Sequence, residues 1–364
     1  EENELLETLS EHSEASILVM QTEDEIAAIN MASGAALTGA RAATATSGPG
    51  FSLMVEGLGW AGNNEVPVVI TYYQRAAPGT GMATRHGQSD LRFVIHAAHG
   101  EFPRIVLSSG DIEECFYDVT HAFNYAERYQ LPVIHLIDKS LANSNKSCKI
   151  FDQSQVKIDR GQLISEVEVK GKEYRRFQFT ESGISPRLLL GTPEVVFWNT
   201  GYEHSELGHI NEEPINLTLM VDKRMKKLET ADKEIPLEER INFFGDSDVA
   251  TTIVSWGSPK RAILESIKNL SQDGYKTNFM QVRMLHPLPK DFIAEVLGKA
   301  QKIIVIEGNY TAQLAGIIRE NIGTVFDYFV LKWNGRPMYV DEVCEALRLI
   351  MQEKAPKRQV LTHG

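Results

Sequence analysis

Three cysteines in 364 residues, Cys115, Cys148 and Cys344, are too few and too scattered for a disulfide framework. Without a Cys-x-x-Cys pair they also exclude an iron–sulfur motif on this chain. Long apolar runs are missing, so no membrane-spanning helix is expected. The acidic opening Glu1-Glu2-Asn3-Glu4 lacks the basic-then-apolar plan of a secretory leader, and an intracellular, cytoplasmic chain is expected. Basic charge is short: 37 Lys and Arg against 49 Asp and Glu leave −12, which argues against nucleic acid or an anionic membrane as the main partner. Nucleotide fingerprints are absent as well. Gly48-Pro49-Gly50 lacks the third glycine and the acidic partner of a dinucleotide turn, Gly308-Asn309-Tyr310 is further off, and there is no P-loop.

What is present is enough hydrophobic content, 43%, for two cores. Residues 1–16 read as a helix with Leu5, Leu6 and Leu9 on one face. From Ile17, short apolar runs alternate with helical patterns: strands at 17–21, 42–47, 67–74, 104–109 and 132–138, helices at 23–39, 50–63, 88–98 and 111–129. The runs are continuous rather than alternating, as in Val68-Val69-Ile70-Thr71-Tyr72, which predicts a parallel sheet covered on both faces. A second series follows Val249, with strands at 249–255, 277–282, 302–306 and 328–333 and helices at 259–270, 291–299, 311–321 and 340–353. Between them lies an extended arm with possible strands at 156–158 and 176–179. The expected architecture is α/β: two parallel-sheet domains, 1–145 and 246–364, joined by the arm 146–245.

In an open parallel sheet, ligands bind beyond the carboxyl ends of the strands. Two such ends carry chemistry. One is Met20-Gln21-Thr22-Glu23-Asp24-Glu25, where Thr22 and Glu25 have the spacing of a capping box and Asp24 suits a helix start, leaving Glu23 without a structural explanation. The other is Thr46-Ser47-Gly48-Pro49-Gly50-Phe51. A long Gly/Pro/Thr loop, 74–88, leaves the next strand at Arg75, whose guanidinium fork suits a carboxylate; a surface ion pair is the plainer reading. The small residues of helix 23–39 allow close packing against this chain's own sheet or against a second subunit. Glu203, His204, Glu206 and His209 gather possible metal ligands at a spacing that matches no metal motif, so no metal is assigned. The run Lys223, Arg224, Lys226, Lys227 is expected to form a charged helix with a solvated face.

Taken together, Gln21-Thr22-Glu23-Asp24-Glu25-Ile26, Thr44-Ala45-Thr46-Ser47-Gly48-Pro49-Gly50-Phe51, Val282-Arg283-Met284-Leu285-His286-Pro287 and Ile304-Val305-Ile306-Glu307-Gly308-Asn309-Tyr310 resemble the alpha subunit of 2-oxoacid:ferredoxin oxidoreductases, across essentially the whole chain. The resemblance implies a thiamine diphosphate-binding pyrimidine-type fold followed by a transketolase C-terminal-like fold. It implies that Glu23 bonds the aminopyrimidine ring of thiamine diphosphate and is catalytic. Ser47, Gly48 and Phe51 would line that cofactor, and Arg75 would pair with the substrate carboxylate. The implied reaction decarboxylates a 2-oxoacid, hands the acyl group to coenzyme A and reduces ferredoxin. The family's threonine-bearing substrate motif is expected upstream of residue 1. The diphosphate segment that binds Mg2+ is not found here, and the resemblance assigns it, with an iron–sulfur (4Fe–4S) cluster, to a separate beta subunit. A dimer of alpha–beta pairs would follow if the small-residue helix packs across subunits. A transketolase-like or 2-oxoacid dehydrogenase subunit, and a non-catalytic scaffold for the beta subunit, remain as alternatives.

Overall fold

A computed structural model describes residues 17–363. The helix expected over 1–16 lies outside them. Alternation of strand and helix begins with α1 (Glu25–Leu37), β1 (Ala42–Ser47), α2 (Gly50–Asn63), β2 (Val68–Ala76) and β3 (Met82–His86). It continues with α3 (Leu91–His96), β4 (Ile105–Leu107), α4 (Ile112–Tyr129), β5 (Val133–Asp138) and the single turn α5 (Lys139–Ala142). After a largely irregular arm come α6 (Pro214–Glu234), β6 (Ile241–Phe244), β7 (Thr251–Ser255), α7 (Lys260–Gln272), β8 (Asn278–Val282), β9 (Met284–His286) and α8 (Lys290–Lys299). The chain closes through β10 (Lys302–Glu307), α9 (Gln313–Ile322), β11 (Tyr328–Leu331), α10 (Val340–Met351) and β12 (Arg358–Val360).

Two mostly parallel sheets result, ordered β1-β2-β5-β4-β9 with β3 paired to β2, and β12-β11-β10-β7-β8-β6. The expected α/β class and parallel pairing hold, because β2, β5 and β10 are apolar on both faces and need helices on each side. Three local expectations fail. Residues 17–21 are not a strand: β1 is the sheet edge, no described strand pairs beyond it, and Leu18 and Met20 are exposed. Residues 156–158 and 176–179 are not strands either, since Arg176 is drawn into a buried ion cluster instead of a ladder. The supposed loop 74–88 is largely a hairpin, β2 running on to Ala76 and β3 returning with His86 opposite Arg75.

The two sheets share one core. Phe51, Tyr72, Leu91 and Val106 from the first belong to the same apolar cluster as Trp256, Met280 and Leu314 from the second. Each fully buried large side chain contributes about 1.5–3 kcal/mol of transfer free energy, so the halves do not behave as loosely tethered domains. β9 joins the first sheet antiparallel to β4, which is the structural role of the Met284-Leu285-His286 stretch. Glu307-Gly308-Asn309 forms the polar seam. Fully buried Glu307 accepts from Trp256 Nε1 (3.1 Å), Asn309 Nδ2 (2.9 Å), Leu314 N (3.0 Å) and Ala315 N (3.1 Å), while Gly308 N donates to Gln88 Oε1 (2.8 Å). Gln88 in turn donates to Trp256 O at 3.0 Å. A buried carboxylate without such donors would carry a heavy desolvation cost; even with them, burial holds the Glu307 carboxyl above its usual range.

The arm is fastened by charge. Glu65, at φ 54, ends the turn after α2 and meets Lys223 Nζ and Lys227 Nζ of α6, each at 2.5 Å. Arg176 donates to Glu65 O and Gln130 Oε1, both at 2.9 Å. Arg224 pairs in bidentate fashion with Glu203 at 2.6 and 2.9 Å. The expectation of a solvated basic face is therefore overturned: Lys223, Arg224 and Lys227 are buried, and only Lys226 of the four is exposed. The same α6 docking encloses His204 against Phe177, ring centres 4.0 Å apart, whereas His209 stays exposed beside Trp198. The two histidines do not converge, and no cluster of three or more metal-ligating side chains occurs among the described residues. Nor is any described helix long and apolar enough to cross a membrane.

Candidate active site

The carboxyl ends of β1 and β2 are adjacent, with Ser47 opposite Tyr73 in a parallel register. β1 stops because Gly48 turns the backbone left-handed, at φ +53, and Pro49 precedes α2. Close approach demands glycine as well: a Cβ at residue 48 would stand 2.4 Å from Arg75 Nε. At residue 50 it would stand 2.2 Å from Thr46 Oγ1 and 2.3 Å from Glu25 Oε1. The turn is thus a backbone surface kept bare of side chains, with a guanidinium laid against it.

Arg75, two residues beyond Tyr73 in β2, donates from Nη1 to Ser47 Oγ at a long 3.4 Å. Its Nε is buried and lacks a hydrogen-bond partner, and no carboxylate pairs with it among the described residues. A half-buried guanidinium without a counter-ion is costly unless something anionic meets it. The surface ion pair that a lone arginine would ordinarily make is not formed.

Beneath the turn, Tyr72 carries the geometry. Its hydroxyl lies 3.1 Å from both Gly48 O and Asp90 Oδ2, and Asp90 N donates to Gln74 Oε1 at 3.1 Å. Burial and the Asp90 charge hold the phenol protonated, with a pKa far above its ordinary value. Phe51 is fully buried, stacked on Tyr72 at 4.8 Å and edge-on to Phe93 at 5.3 Å. Its side chain packs under the strand end as core. Tyr72 and Asp90 were not singled out in the sequence, since each reads there as an ordinary strand or helix-start residue.

The acids before α1 divide. The capping box expected of Thr22 and Glu25 does not form. Asp24 is the cap, accepting from Ala27 N at 2.8 Å, and Thr22 Oγ1 donates to Asp24 O at 2.8 Å. Glu25, one residue into the helix, is thereby turned toward β1, where Thr46 Oγ1 lies 3.5 Å from its Oε1. Glu23 is exposed at the same end of the sheet. The small residues of α1 are used within the chain: Ala32, Ser33 and Ala36 are buried, and a Cβ on Gly57 of α2 would stand 2.6 Å from Ile29 Cγ2.

Residues 3–223 match the thiamine diphosphate-binding family of pyruvate flavodoxin/ferredoxin oxidoreductases, and residues 250–343 match core domain II of pyruvate:ferredoxin oxidoreductase. The 2-oxoacid:ferredoxin oxidoreductase subunit alpha of Saccharolobus solfataricus is 51% identical over 97% of this chain. The chain belongs to the family of 2-oxoacid:ferredoxin oxidoreductase alpha subunits. It spans about half the length of the curated relatives it matches, 55% of the S. solfataricus subunit. A solved 2-oxoglutarate:ferredoxin oxidoreductase from Magnetococcus marinus, with 2-oxoglutarate, coenzyme A and succinyl-CoA bound, superposes with a TM-score of 0.86 at 33% identity, covering 93% of this chain and 58% of that one. A split-gene transketolase, an inactive beta4 tetramer, shares the fold at 12% identity and a TM-score of 0.51, covering 92% and 84% of the two chains. Gly48 and Gly50 leave room where any Cβ would intrude, and Arg75 Nε waits without a partner.

Proposed function

We propose that this chain forms one half of the active site of an enzyme that oxidatively decarboxylates a 2-oxoacid with coenzyme A, giving acyl-CoA and carbon dioxide and reducing ferredoxin in the cytoplasm. The observation that carries the reading is the Arg75 guanidinium, without a carboxylate partner among the described residues, over the Ser47-Gly48 turn at a strand end within the stretch that matches the thiamine diphosphate-binding family. A beta subunit would supply the diphosphate site, Mg2+ and an iron–sulfur cluster; the exposure of Glu23 in this chain alone is consistent with a partner surface closing over it. The domain division 1–145, 146–245 and 246–364 is proposed with it.

Bound thiamine diphosphate supplies a nucleophilic carbon and an electron sink. The chain's own residues do the rest. Glu23, desolvated by the partner, holds a proton at the aminopyrimidine ring nitrogen, a task for which a carboxyl in a water-poor site is suited. Ser47, Gly48 and the backbone entering Phe51 form the wall against which the cofactor is oriented. Arg75 binds the substrate carboxylate through a charge-assisted pair. That carboxylate becomes neutral carbon dioxide as the reaction proceeds, so the Arg75 pair is stronger in the ground state than at the barrier. Arg75 therefore governs KM more than kcat.

The test is anaerobic ferredoxin reduction by the full-length chain co-purified with its beta subunit, supplied with coenzyme A and pyruvate, 2-oxoglutarate, branched-chain or aryl oxoacids in turn. Reduction that requires coenzyme A and one oxoacid supports the reading. Acyl transfer to a lipoyl arm or a sugar without ferredoxin reduction would replace it.

A further inference from the structure

We propose that Tyr72 and Asp90 are positioning residues: together they clamp the Gly48 carbonyl and so fix the turn on which the Arg75 guanidinium rests. This role deepens the proposed function and rests on Arg75 as the group that binds the substrate carboxylate. Gly48 is where the two meet. Its carbonyl oxygen lies 3.1 Å from the Tyr72 hydroxyl, and a Cβ on it would stand 2.8 Å from Arg75 Cζ and 2.9 Å from Nη2, so the guanidinium is laid against its Cα. Little else holds that guanidinium. Its one hydrogen bond among the described residues is the 3.4 Å contact of Nη1 with Ser47 Oγ, in the same turn.

Neither partner is explained by the fold alone. Tyr72 is 2% exposed and its ring is packed as core against Phe51, a place phenylalanine would fill equally well; the hydroxyl is what the packing does not need. Asp90 stands at the N-cap of α3, where an aspartate ordinarily accepts from first-turn amides, yet its side chain makes no such bond. That task falls to Gln313 of α9, whose Oε1 accepts from Arg92 N at 2.9 Å while its Nε2 donates to Ser89 O at 2.6 Å. The Asp90 carboxyl is left for Tyr72, with Oδ2 3.1 Å from the hydroxyl. Its backbone is held from the same strand, Asp90 N donating to Gln74 Oε1 at 3.1 Å.

A phenol has a single proton to give, and with Asp90 ionised both of its neighbours are acceptors. Gly48 O and Asp90 Oδ2 are met together when the carboxyl carries a proton, gives it to the Tyr72 oxygen and leaves the phenol proton to Gly48 O. Burial pushes the Asp90 carboxyl above its ordinary value, against the opposing effect of the Tyr72 contact, and so favours that state. The Tyr72 hydroxyl is buried beneath the turn and does not reach substrate. The pair acts through Gly48 on where Arg75 lies, and a guanidinium that shifts out of line loses the bidentate grip on a carboxylate.

The experiment is steady-state ferredoxin reduction by the full-length chain with its beta subunit, across 2-oxoacid concentration, for wild type, Tyr72→Phe, Asp90→Asn, Asp90→Ala, Arg75→Ala and Tyr72→Phe/Arg75→Ala. Thermal midpoints control for folding, and amide exchange across residues 46–52 is a readout independent of turnover. Tyr72→Phe should raise KM about fivefold with kcat within about twofold of wild type, and speed exchange in the turn about fivefold. Asp90→Ala should do the same. Asp90→Asn should keep the wild-type KM, because its amide donates to the Tyr72 oxygen as a protonated carboxyl does. Placed in Arg75→Ala, Tyr72→Phe should add less than about twofold to KM, because the clamp works through that guanidinium. Unchanged KM or unchanged exchange in Tyr72→Phe overturns the clamp, as does an equal rise in KM with and without Arg75. Loss of the Arg75 reading looks different: Arg75→Ala itself would leave KM unaltered, while the exchange measurement would still report whether Tyr72 holds the turn.

Discussion

Glu65→Gln is the sharpest test of how the arm is held. Glutamine keeps the Cβ and so the left-handed backbone at residue 65, but it removes the negative charge facing Lys223, Lys227 and Arg176. Those three cations hold the Glu65 carboxyl far below the ordinary carboxylate range. Breaking one partner of a buried pair costs about 3–5 kcal/mol, because the remaining charge is buried without compensation. The penalty has a ceiling here: burial has already lowered Lys227 from 10.5 to about 7, and without Glu65 it sheds its proton rather than stay charged. A loss of about 3 kcal/mol at pH 7 is expected. The sign with pH follows. Lys227 binds more protons unfolded than folded between about 7 and 10.5, so its desolvation weighs less on the fold as pH rises. In the variant this relief begins at lower pH, so the difference from wild type narrows between pH 6 and 8. Urea unfolding of the purified complex at pH 6, 7 and 8, followed by far-UV circular dichroism and by exchange of the α6 amides, measures it. A loss below about 1 kcal/mol at pH 6 would show that the cluster is a bystander and that apolar packing alone fastens α6.

Other consequences can be measured on the same protein. Gly48→Ala places a Cβ where Arg75 Nε now lies and strains a left-handed residue; KM for the 2-oxoacid should rise about tenfold with kcat changed less than about threefold, and an equal fall in kcat would contradict the ground-state role of Arg75. Phe51→Ala should cost about 3–5 kcal/mol in urea unfolding, as expected of a core aromatic; a stable variant with weakened thiamine diphosphate binding would return Phe51 to the cofactor wall. His135 is buried with Nε2 2.8 Å from Ser109 Oγ, and burial lowers its pKa from 6.5 to about 4. Between those values the unfolded chain takes up the proton and the folded chain does not. Stability present above pH 6.5 therefore falls as pH drops toward 4, by on the order of 3 kcal/mol. His135→Gln should flatten that part of the profile; an unchanged slope would assign it to other groups.

The regular alternation of apolar runs and helices was readable because parallel strands buried on both faces leave nearly continuous Val/Ile/Leu stretches. Shorter pieces were not. β9 has three residues, and only its pairing with β4, far away in sequence, makes it a strand. Ile17-Leu18-Val19-Met20 looks like a strand by composition, yet pairing needs a neighbour that composition does not name. The meeting of Ser47, Gly48 and Arg75 at one strand end was foreseeable because neighbouring parallel strands bring their carboxyl ends together and glycine has few reasons to sit where it does. Tyr72 and Asp90 were hidden, since a tyrosine in an apolar strand looks the same whether or not its hydroxyl pins a turn. Lys223 and Lys227 were misread for a similar reason. Their counter-ion, Glu65, lies 158 residues before Lys223, and a cation run on a helix carries no mark of where its partner is.

The most direct test of the central claim is the rate of 2-oxoacid decarboxylation by the full-length chain with its beta subunit, comparing wild type with Glu23→Ala at saturating thiamine diphosphate. Decarboxylation reduced at least about a hundredfold, with the cofactor still bound, is the predicted result. Full activity in Glu23→Ala would contradict the account and leave this chain as a scaffold for its partner.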